Sequence, residues 1–193
     1  MSGSIQTFVL DGVEAQACVA EVAIVRGKTA RTTIVGLPDT AVREAVERVQ
    51  GAMAAGGFPY PEGRVTINLT PASLRKEGPL YDLPIAVAVL LASRMLGSDA
   101  GRRAADCLIA GELRLDGQLQ PIAGSVAMAD LASRTGIANV ILPAASAEAA
   151  AMVTGVRIRP AETLRDVVNF LMGKISLPVA QPPPVDIGTH DVD

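Results

Sequence analysis

The amino-acid sequence predicts an α/β fold of the mixed α+β type, and three observations support this prediction. Segments with the two-residue period of strands alternate along the chain with segments that have the period of helices. Of the 193 residues, 49% are apolar but only 3% are aromatic, so the core must consist of aliphatic side chains. Residues 85–92 are apolar on every side, which predicts a helix buried at the centre of the domain.

Length, charge and cysteine usage exclude several classes of protein. The length corresponds to one domain, and a net charge of −3 gives no overall attraction to nucleic acid or to an anionic membrane. No apolar run reaches the roughly 20 residues of a membrane span, and the N-terminus lacks the pattern of a signal peptide. Cys18 and Cys107 have no motif neighbours, and the single histidine lies in a polar tail. We therefore expect a cytoplasmic protein with buried free thiols, no metal site and no membrane association.

The first part of the chain predicts strands. Residues 1–4 follow no pattern, and we expect a flexible start there. Alternating side chains and glycine-containing turns then predict three strands, at Thr7–Leu10, Gln16–Val25 and Arg31–Val35. The turn Arg26-Gly27-Lys28-Thr29 resembles the end of a phosphate-binding loop, but the first glycine of that motif would fall at Val22, within a strand. We therefore assign no nucleotide site to this turn.

A helix over Ala41–Ala55 is predicted next, capped by Asp39 or Thr40 and ended by two glycines. Apolar side chains at spacings of four, three and four residues define its face toward the core: Val42, Val46, Val49 and Met53. Its charged side chains are expected to face solvent as i,i+4 pairs, or to contact another subunit: Arg43, Glu44, Glu47 and Arg48.

The second half of the chain alternates helices and strands. The buried helix is expected at Leu83–Leu96, followed by a loop over Gly97–Ala105. Asp116-Gly117 predicts a hairpin turn between the segments 107–115 and 118–122. The remaining elements are expected as a helix at Val126–Thr135, a strand at Asn139–Leu142, a short helix near Ala147–Val153, a strand at Val156–Arg159 and a helix at Leu164–Met172.

Residues 174–193 carry four of the prolines and no apolar period, which is typical of a stiff linker. A linker of this kind normally leads to another domain. We therefore expect three parts: a flexible start over residues 1–4, one domain over residues 5–173, and a linker over residues 174–193 toward a domain absent from this chain.

The segment at residues 75–84 joins the strand Arg64–Leu69 to the buried helix, and it carries most of the candidate functional side chains. Asp82 heads the helix, where a carboxylate is favoured by the helix dipole and can cap free N–H groups, so we assign it a structural role. Lys76 and Glu77 are expected on an exposed loop. Together with the turn after the second strand, this loop offers charged candidates for a DNA or subunit contact: Arg26, Lys28, Arg31, Arg75, Lys76 and Glu77.

Two groups of motifs carry a family resemblance. The first consists of Ile34-Val35-Gly36-Leu37-Pro38-Asp39 with Ala41-Val42-Arg43-Glu44, then Val65–Leu69 and Lys76-Glu77-Gly78 with Asp82–Ala86. These residues resemble the N-terminal domain of the ComM/YifB proteins, which are the bacterial magnesium chelatase-like AAA+ proteins. The resemblance implies that the domain missing beyond the linker is an AAA+ domain.

The second group resembles the peptidase domain of Lon. It runs from Ala110-Gly111-Glu112-Leu113 through Pro121-Ile122-Ala123-Gly124 to Ile141-Leu142-Pro143. The two groups together cover about residues 5–172. The resemblance implies a Lon peptidase-type domain with the ribosomal protein S5 domain 2-like fold, which agrees with the predicted order of strands and helices.

The Lon pattern also implies where a serine–lysine dyad would lie, and neither group is present. The nucleophile position, after Lys76-Glu77-Gly78-Pro79, holds Leu80, and the position of the lysine base holds Val126. A leucine has no lone pair with which to attack a carbonyl, and a valine cannot accept a proton. A displaced dyad that uses Ser73 or Ser125 with Lys76 remains an alternative.

The resemblance implies a non-catalytic domain of a hexameric motor that uses ATP to drive branch migration of DNA during recombination of imported DNA. ATP and Mg²⁺ are expected in the missing AAA+ domain, and no cofactor is expected in this chain. The role of the domain itself would be ring assembly in a homo-oligomer, DNA contact, or both.

Two enzymatic alternatives stay open. One is a serine–lysine peptidase with the displaced dyad. The other is an accessory of magnesium chelatase, which we rank low because we expect this N-terminal domain not to be the part that resembles chelatases.

Overall fold

The computed structural model describes residues 1–184. A seven-stranded mixed sheet forms the centre, in the order β3-β4-β2-β1-β5-β8-β9. Its strands are β1 (Ser2–Asp11), β2 (Glu14–Val25), β3 (Arg31–Val35), β4 (Arg64–Thr70), β5 (Cys107–Ile109), β8 (Asn139–Pro143) and β9 (Arg157–Ala161). The prediction of an α/β fold is confirmed.

The helices are α1 (Thr40–Arg43), α2 (Ala45–Ala55), α3 (Asp82–Ala92), α4 (Ala100–Ala105), α5 (Ser125–Thr135), α6 (Ala144–Ala150) and α7 (Leu164–Leu171). A 3₁₀ turn at Pro79–Tyr81 leads into α3. A separate hairpin pairs β6 (Glu112–Leu113) with β7 (Leu119–Gln120) around the Asp116-Gly117 turn that the sequence predicts.

The long hairpin β1–β2 forms one half of the sheet together with β4 and the edge strand β3. β1 pairs with β2 and β2 pairs with β4 in antiparallel register, whereas β3 runs parallel to β4. Side chains of β2 alternate strictly over its last eight residues, and one face is buried: Cys18, Ala20, Val22 and Ile24. The buried faces of β2 and of the neighbouring β1 pack on α3. At Gly3, on β1, the approach is so close that a Cβ would lie 2.6 Å from the carbonyl oxygen of Ala88.

The other half of the sheet is parallel and covered on both faces. β5 and β8 are buried at every residue, as is usual for strands between two helical layers. Helix α3 is buried along its length except at Leu91, which confirms the prediction that it lies at the centre. Helix α5 covers the end of the β1–β2 hairpin, where a Cβ on Gly124 would lie 3.0 Å from the Leu10 side chain.

Three predictions about chain segments are wrong. Residues 2–4 belong to β1 and pair with β2, so the chain has no flexible start at residues 1–4. The expected loop at Gly97–Ala105 contains helix α4, which is short and therefore leaves a weak period in the sequence. The predicted helix Ala41–Ala55 is divided at Glu44, although Asp39 caps it as expected by accepting from the Val42 N–H at 2.8 Å.

The expected linker does not begin at residue 174. Leu177 is buried, and its carbonyl accepts a hydrogen bond from Arg159 at 2.7 Å. Further on, the Ala180 N–H donates to the carbonyl of Ile158, in β9, at 2.8 Å. Residues 174–180 therefore pack along the β9 edge of the sheet, and the part of the expected linker from residue 185 onward lies outside the described residues. None of the helices described is long and apolar enough to span a bilayer.

Candidate nucleic-acid interface

The two positions where the Lon pattern places a dyad lie in different environments. Leu80 is 7% exposed and sits in the 3₁₀ turn before α3. Val126 is 47% exposed, on the first turn of α5, and lines a cleft beside the β1–β2 turn. The residues that line this cleft do not include Leu80. Neither side chain carries a group that could act on a peptide bond.

Lys76 is not on an exposed loop, and this expectation is wrong. Its side chain is fully buried, and its ammonium group donates to the carbonyl oxygens of Pro71 and Leu74. Burial lowers the pKa of Lys76. Among the described residues, its hydrogen-bond partners are these two main-chain carbonyls and include neither Ser73 nor Ser125. The buried position removes Lys76 from the candidates for a DNA or subunit contact.

The loop around Lys76 is tied to the segment before α1. The Lys76 N–H donates to the carbonyl of Leu37, and the Asp39 N–H donates to the carbonyl of Lys76, each at 3.0 Å. The carboxylate of Asp39 also accepts from the Gly78 N–H at 3.0 Å. These contacts hold the main chain of Lys76 in place and explain why a lysine in a glycine- and proline-rich segment is buried.

Arg75 and Glu77 are exposed as expected, but they form a surface ion pair with each other. Their closest atoms are 3.5 Å apart, and the side chains are 68% and 70% exposed. Exposed pairs of this kind contribute little to stability. The charges of Arg75 and Glu77 largely cancel, and the third charged side chain of the segment, Lys76, is buried. The exposed surface at residues 75–77 therefore offers no net positive charge to a polyanion.

Asp82 lies at the start of α3 and is fully buried. Its carboxylate accepts two hydrogen bonds from Arg48, at 2.7 and 3.0 Å, and one from the Leu113 N–H at 3.1 Å. Burial raises the pKa of Asp82 to about 6, and the hydrogen bonds from Arg48 and Leu113 limit the rise. Arg48 therefore points inward and joins α2, α3 and β6, whereas the sequence predicts that it faces solvent. The predicted i,i+4 pair is nevertheless present, since Nη1 of Arg48 lies 3.8 Å from the Glu44 carboxylate.

Among residues 1–184, no helix covers one face of the β3-β4-β2-β1 half of the sheet over most of its length. The strand register places exposed or half-buried side chains of neighbouring strands side by side on this outer face. Along β4 the face presents Arg64, Thr66, Asn68 and Thr70. Most of the remaining side chains are small or polar: Ser2, Ser4 and Gln6 on β1, Val19, Glu21, Ala23 and Val25 on β2, and Arg31, Thr33 and Val35 on β3.

Four cations lie together at one end of this outer face. Arg31 pairs in register with Arg64, and both line a cleft of about 480 Å³ together with Arg26 and Lys28 from the β2–β3 turn. All four side chains are exposed. In the part of the chain that the structure describes, no carboxylate lies within ion-pair distance of any of them. We call this site the basic cleft.

The structure thus brings three of the sequence candidates together and adds one that the sequence analysis missed. Arg26, Lys28 and Arg31 line the basic cleft, while Arg75 and Lys76 do not. Arg64 was missed because its place beside Arg31 depends on the parallel pairing of β3 with β4. Arg64, Thr66 and Asn68 alternate with apolar residues along the strand, and this pattern could have assigned Arg64 to the polar, outer face.

The basic cleft has the chemistry of a site for phosphate groups. Arg and Lys side chains bind phosphate oxygens, and threonine hydroxyls at Thr29 and Thr33 line the same cleft. Aromatic side chains are absent from its lining, so it offers no surface on which an unpaired base could stack. Within residues 1–184 no three His, Cys, Asp or Glu side chains are grouped so that they could hold a metal ion.

Comparison with protein families assigns the chain to a class. Residues 20–146 match the family described as subunit ChlI of Mg-chelatase. The chain belongs to this magnesium chelatase-like family and, within it, to the ComM/YifB proteins. The expectation that this part of the chain would not resemble a chelatase is wrong, because the matching family is named for a chelatase subunit.

Three curated relatives show how much of a longer protein the chain represents. It is 41% identical to the competence protein ComM of Haemophilus influenzae over 88% of the chain and 32% of that protein. It is 38% identical to the uncharacterized protein YifB of Escherichia coli over 91% of the chain and 33% of that protein. A Mycobacterium bovis protein, Mb2921c, is 36% identical over 75% of the chain and 28% of its own length. The chain thus spans about a third of the length of these relatives.

Proposed function

We propose that this chain is a non-catalytic, Lon-like domain of a ComM-like AAA+ protein and that it contacts the phosphate backbone of DNA through the basic cleft. The observation that carries the proposal is the grouping of four exposed cations, without carboxylate partners among the described residues, at one end of the uncovered sheet face. A net charge of −3 gives the whole chain no attraction to DNA. The contact therefore depends on this local asymmetry.

Relatives of known name support the context of this role. One relative is a competence protein, and the family resemblance points to branch migration of DNA in the longer protein. ATP and Mg²⁺ would act in the part of the relatives that this chain does not span. The chain itself would supply a positively charged surface that holds the DNA backbone near the motor.

The absence of a dyad supports a binding role over peptidase activity. Leu80 and Val126 carry no reactive group, and Lys76 donates to main-chain carbonyls rather than to a serine. A lysine held by two acceptors in a buried site has no free path to a substrate. A displaced Ser73–Lys76 or Ser125–Lys76 dyad therefore has no support in the geometry.

A second role, ring assembly, is favoured by a separate surface. The cleft at the β1–β2 turn has a mainly apolar lining that includes Val13, Val126 and Val153, and Val13 is 91% exposed. Three charged side chains, those of Glu14, Asp130 and Arg134, also line it. Valine side chains exposed at a turn and facing a cleft suit burial against another copy of the chain. This surface is distinct from the basic cleft, so that both roles can coexist.

The first prediction concerns DNA binding. Substituting both Arg31→Ala and Arg64→Ala should weaken binding of the chain to a short DNA duplex and lower the slope of log K against log salt by about 1.8, since each phosphate contact contributes about 0.9. Fluorescence anisotropy of labelled DNA between low and moderate salt measures both quantities.

A matched control removes two other arginines. Arg102 and Arg103 lie on α4, are exposed and do not line the basic cleft. Substituting both by alanine changes the net charge by the same amount as substituting Arg31 and Arg64. This control should bind DNA as the parent does. Equal losses in the two double variants, or no binding by the parent at low salt, would refute the proposed contact, and cleavage of casein by the parent would revive the peptidase alternative.

A further inference from the structure

Among the described residues, the uncovered sheet face carries one negative charge, that of Glu21, and its position relative to the basic cleft affects how far a bound phosphate backbone can extend. Glu21 lies on β2 and is exposed on the same outer face as Arg31 and Arg64. It pairs in register with Asn68, whose side-chain amide donates to the Glu21 carboxylate at 3.0 Å. No cation lies within ion-pair distance of Glu21 among the described residues.

The strand geometry sets the distance between the row that holds Glu21 and the row that holds Arg31 and Arg64. Asn68 is four residues beyond Arg64 on β4, and strands rise about 3.3 Å per residue, so the Glu21–Asn68 row lies about 13 Å from the Arg31–Arg64 row. The side chains between the two rows, Thr33, Thr66 and Ala23, are uncharged. A phosphate backbone that follows the sheet away from the basic cleft therefore meets Glu21 before it meets another cation of this face.

We infer that Glu21 limits the footprint of a phosphodiester backbone on this domain to the basic end of the uncovered face. The inference rests on the proposed DNA contact. Most of the remaining side chains of the face carry a hydroxyl or amide that can hydrogen-bond phosphates, and the others are small and uncharged, so the carboxylate is the group that opposes extension. The domain would hold a few phosphates firmly and leave the rest of the strand free for another part of the protein.

The charge at Glu21 is not required for folding. The side chain is exposed, and its pairing with Asn68 is a surface hydrogen bond between neighbouring strands. Substitution by lysine keeps a long side chain at a position on β2 whose neighbours on the outer face are Asn68 and Ser4. Its effect on DNA binding can therefore be measured in folded protein.

The test compares Glu21→Lys with Glu148→Lys. Both residues are exposed glutamates, and both substitutions change the net charge by the same amount. Glu148 lies on α6, which packs against α5 and β9, and it lines neither the basic cleft nor the cleft at the β1–β2 turn. With a labelled duplex longer than the footprint, we expect Glu21→Lys to bind about five-fold more tightly, the effect of one ion contact in water, and to steepen the salt slope by about 0.9. Glu148→Lys should leave both values near those of the parent.

The outcomes separate this inference from the proposed function. If the parent binds and the Arg31/Arg64 double variant does not, but Glu21→Lys equals the parent, the footprint inference is wrong and the contact stands. Equal tightening by Glu21→Lys and Glu148→Lys would also overturn the inference, because the change in net charge alone would then explain the tighter binding. If the parent does not bind, the proposed contact fails first. Circular dichroism of each variant checks that the fold is retained.

Discussion

At the scale of single residues, burial changes the role of charged side chains that the sequence places on the surface. Lys76 and Arg48 both look like solvent-facing charges, one in a loop rich in glycine and proline and the other in an i,i+4 pattern. The structure buries the first against main-chain carbonyls and turns the second toward the buried carboxylate of Asp82. A buried ion pair of this kind is costly to break on one side, because the remaining charge loses its partner.

The Arg48–Asp82 pair predicts a pH dependence of stability. Because the pKa of Asp82 rises from 3.8 to about 6 on folding, the native state binds the proton more strongly. The contribution of this group to the free energy of unfolding is therefore fully present below pH 3.8 and is lost as pH rises through about 6. Asp82→Asn removes the ionisation while keeping an oxygen that can accept from the Leu113 N–H.

The measurement is urea unfolding of the parent and of Asp82→Asn from pH 4 to pH 7. From pH 4 to pH 7, the free energy of unfolding of the variant should rise relative to that of the parent by up to about 3 kcal/mol. The reason is that each unit by which the pKa of Asp82 differs between the folded and unfolded states corresponds to about 1.4 kcal/mol. Parallel curves would show that Asp82 ionises equally in both states. Asp130→Asn, which alters an exposed carboxylate on α5 paired with Arg134, serves as the control and should follow the parent.

At the scale of elements, the two edges of the sheet differ. The β9 edge is covered by residues 174–180, whereas β3 forms the other edge of the seven-stranded sheet. Arg159 is central to the covered edge: Asn139 accepts from its Nε at 2.7 Å, its guanidinium lies 5.2 Å from the centre of the Phe170 ring, and it donates to the carbonyl of Leu177. The start of the proline-rich segment is thereby attached to the domain.

Substituting Arg159→Ala should loosen this segment. Loss of the hydrogen bond to Leu177 leaves the Ala180 N–H as the next contact along β9, so the amide of Ala180 should exchange at least ten-fold faster with deuterium. Mass spectrometry of the peptide covering residues 174–184 measures the change. The control is Arg157→Ala, whose side chain contacts Asn139 from an exposed position. Unchanged exchange in Arg159→Ala would show that Leu177 burial alone holds the segment.

At the scale of the whole molecule, the two candidate contact surfaces lie at different positions along the β1–β2 hairpin. The basic cleft lies at the end of β2 near Arg26, and the cleft at the β1–β2 turn, with Val13, lies at the opposite end of this twelve-residue strand. Such an arrangement lets one domain contact DNA at one end and a neighbouring copy at the other.

Assembly through the cleft at the β1–β2 turn can be tested by measuring the molecular mass of the protein in solution. If the cleft is a subunit contact, light scattering at high protein concentration should show a mass above that of one 19.9 kDa chain, and Val13→Asp with Val126→Asp should return it to the monomer value. Exposed Met152, outside this lining, provides the control substitution Met152→Asp, which should leave the mass unchanged. A monomeric parent, or equal effects of both changes, would contradict assembly through this cleft.

The sequence by itself determined the order of most strands and helices, the burial of α3 and the aliphatic side chains at positions 80 and 126, since period, turn residues and side-chain chemistry are local properties. Only the tertiary structure decided which of the described charged side chains are exposed and which are buried. Lys76 became a core residue because its backbone is tied to Leu37 and Asp39, and Arg64 joined Arg31 because β3 pairs in parallel with β4. These placements depend on contacts between residues distant in the chain, and a one-dimensional pattern does not specify such contacts.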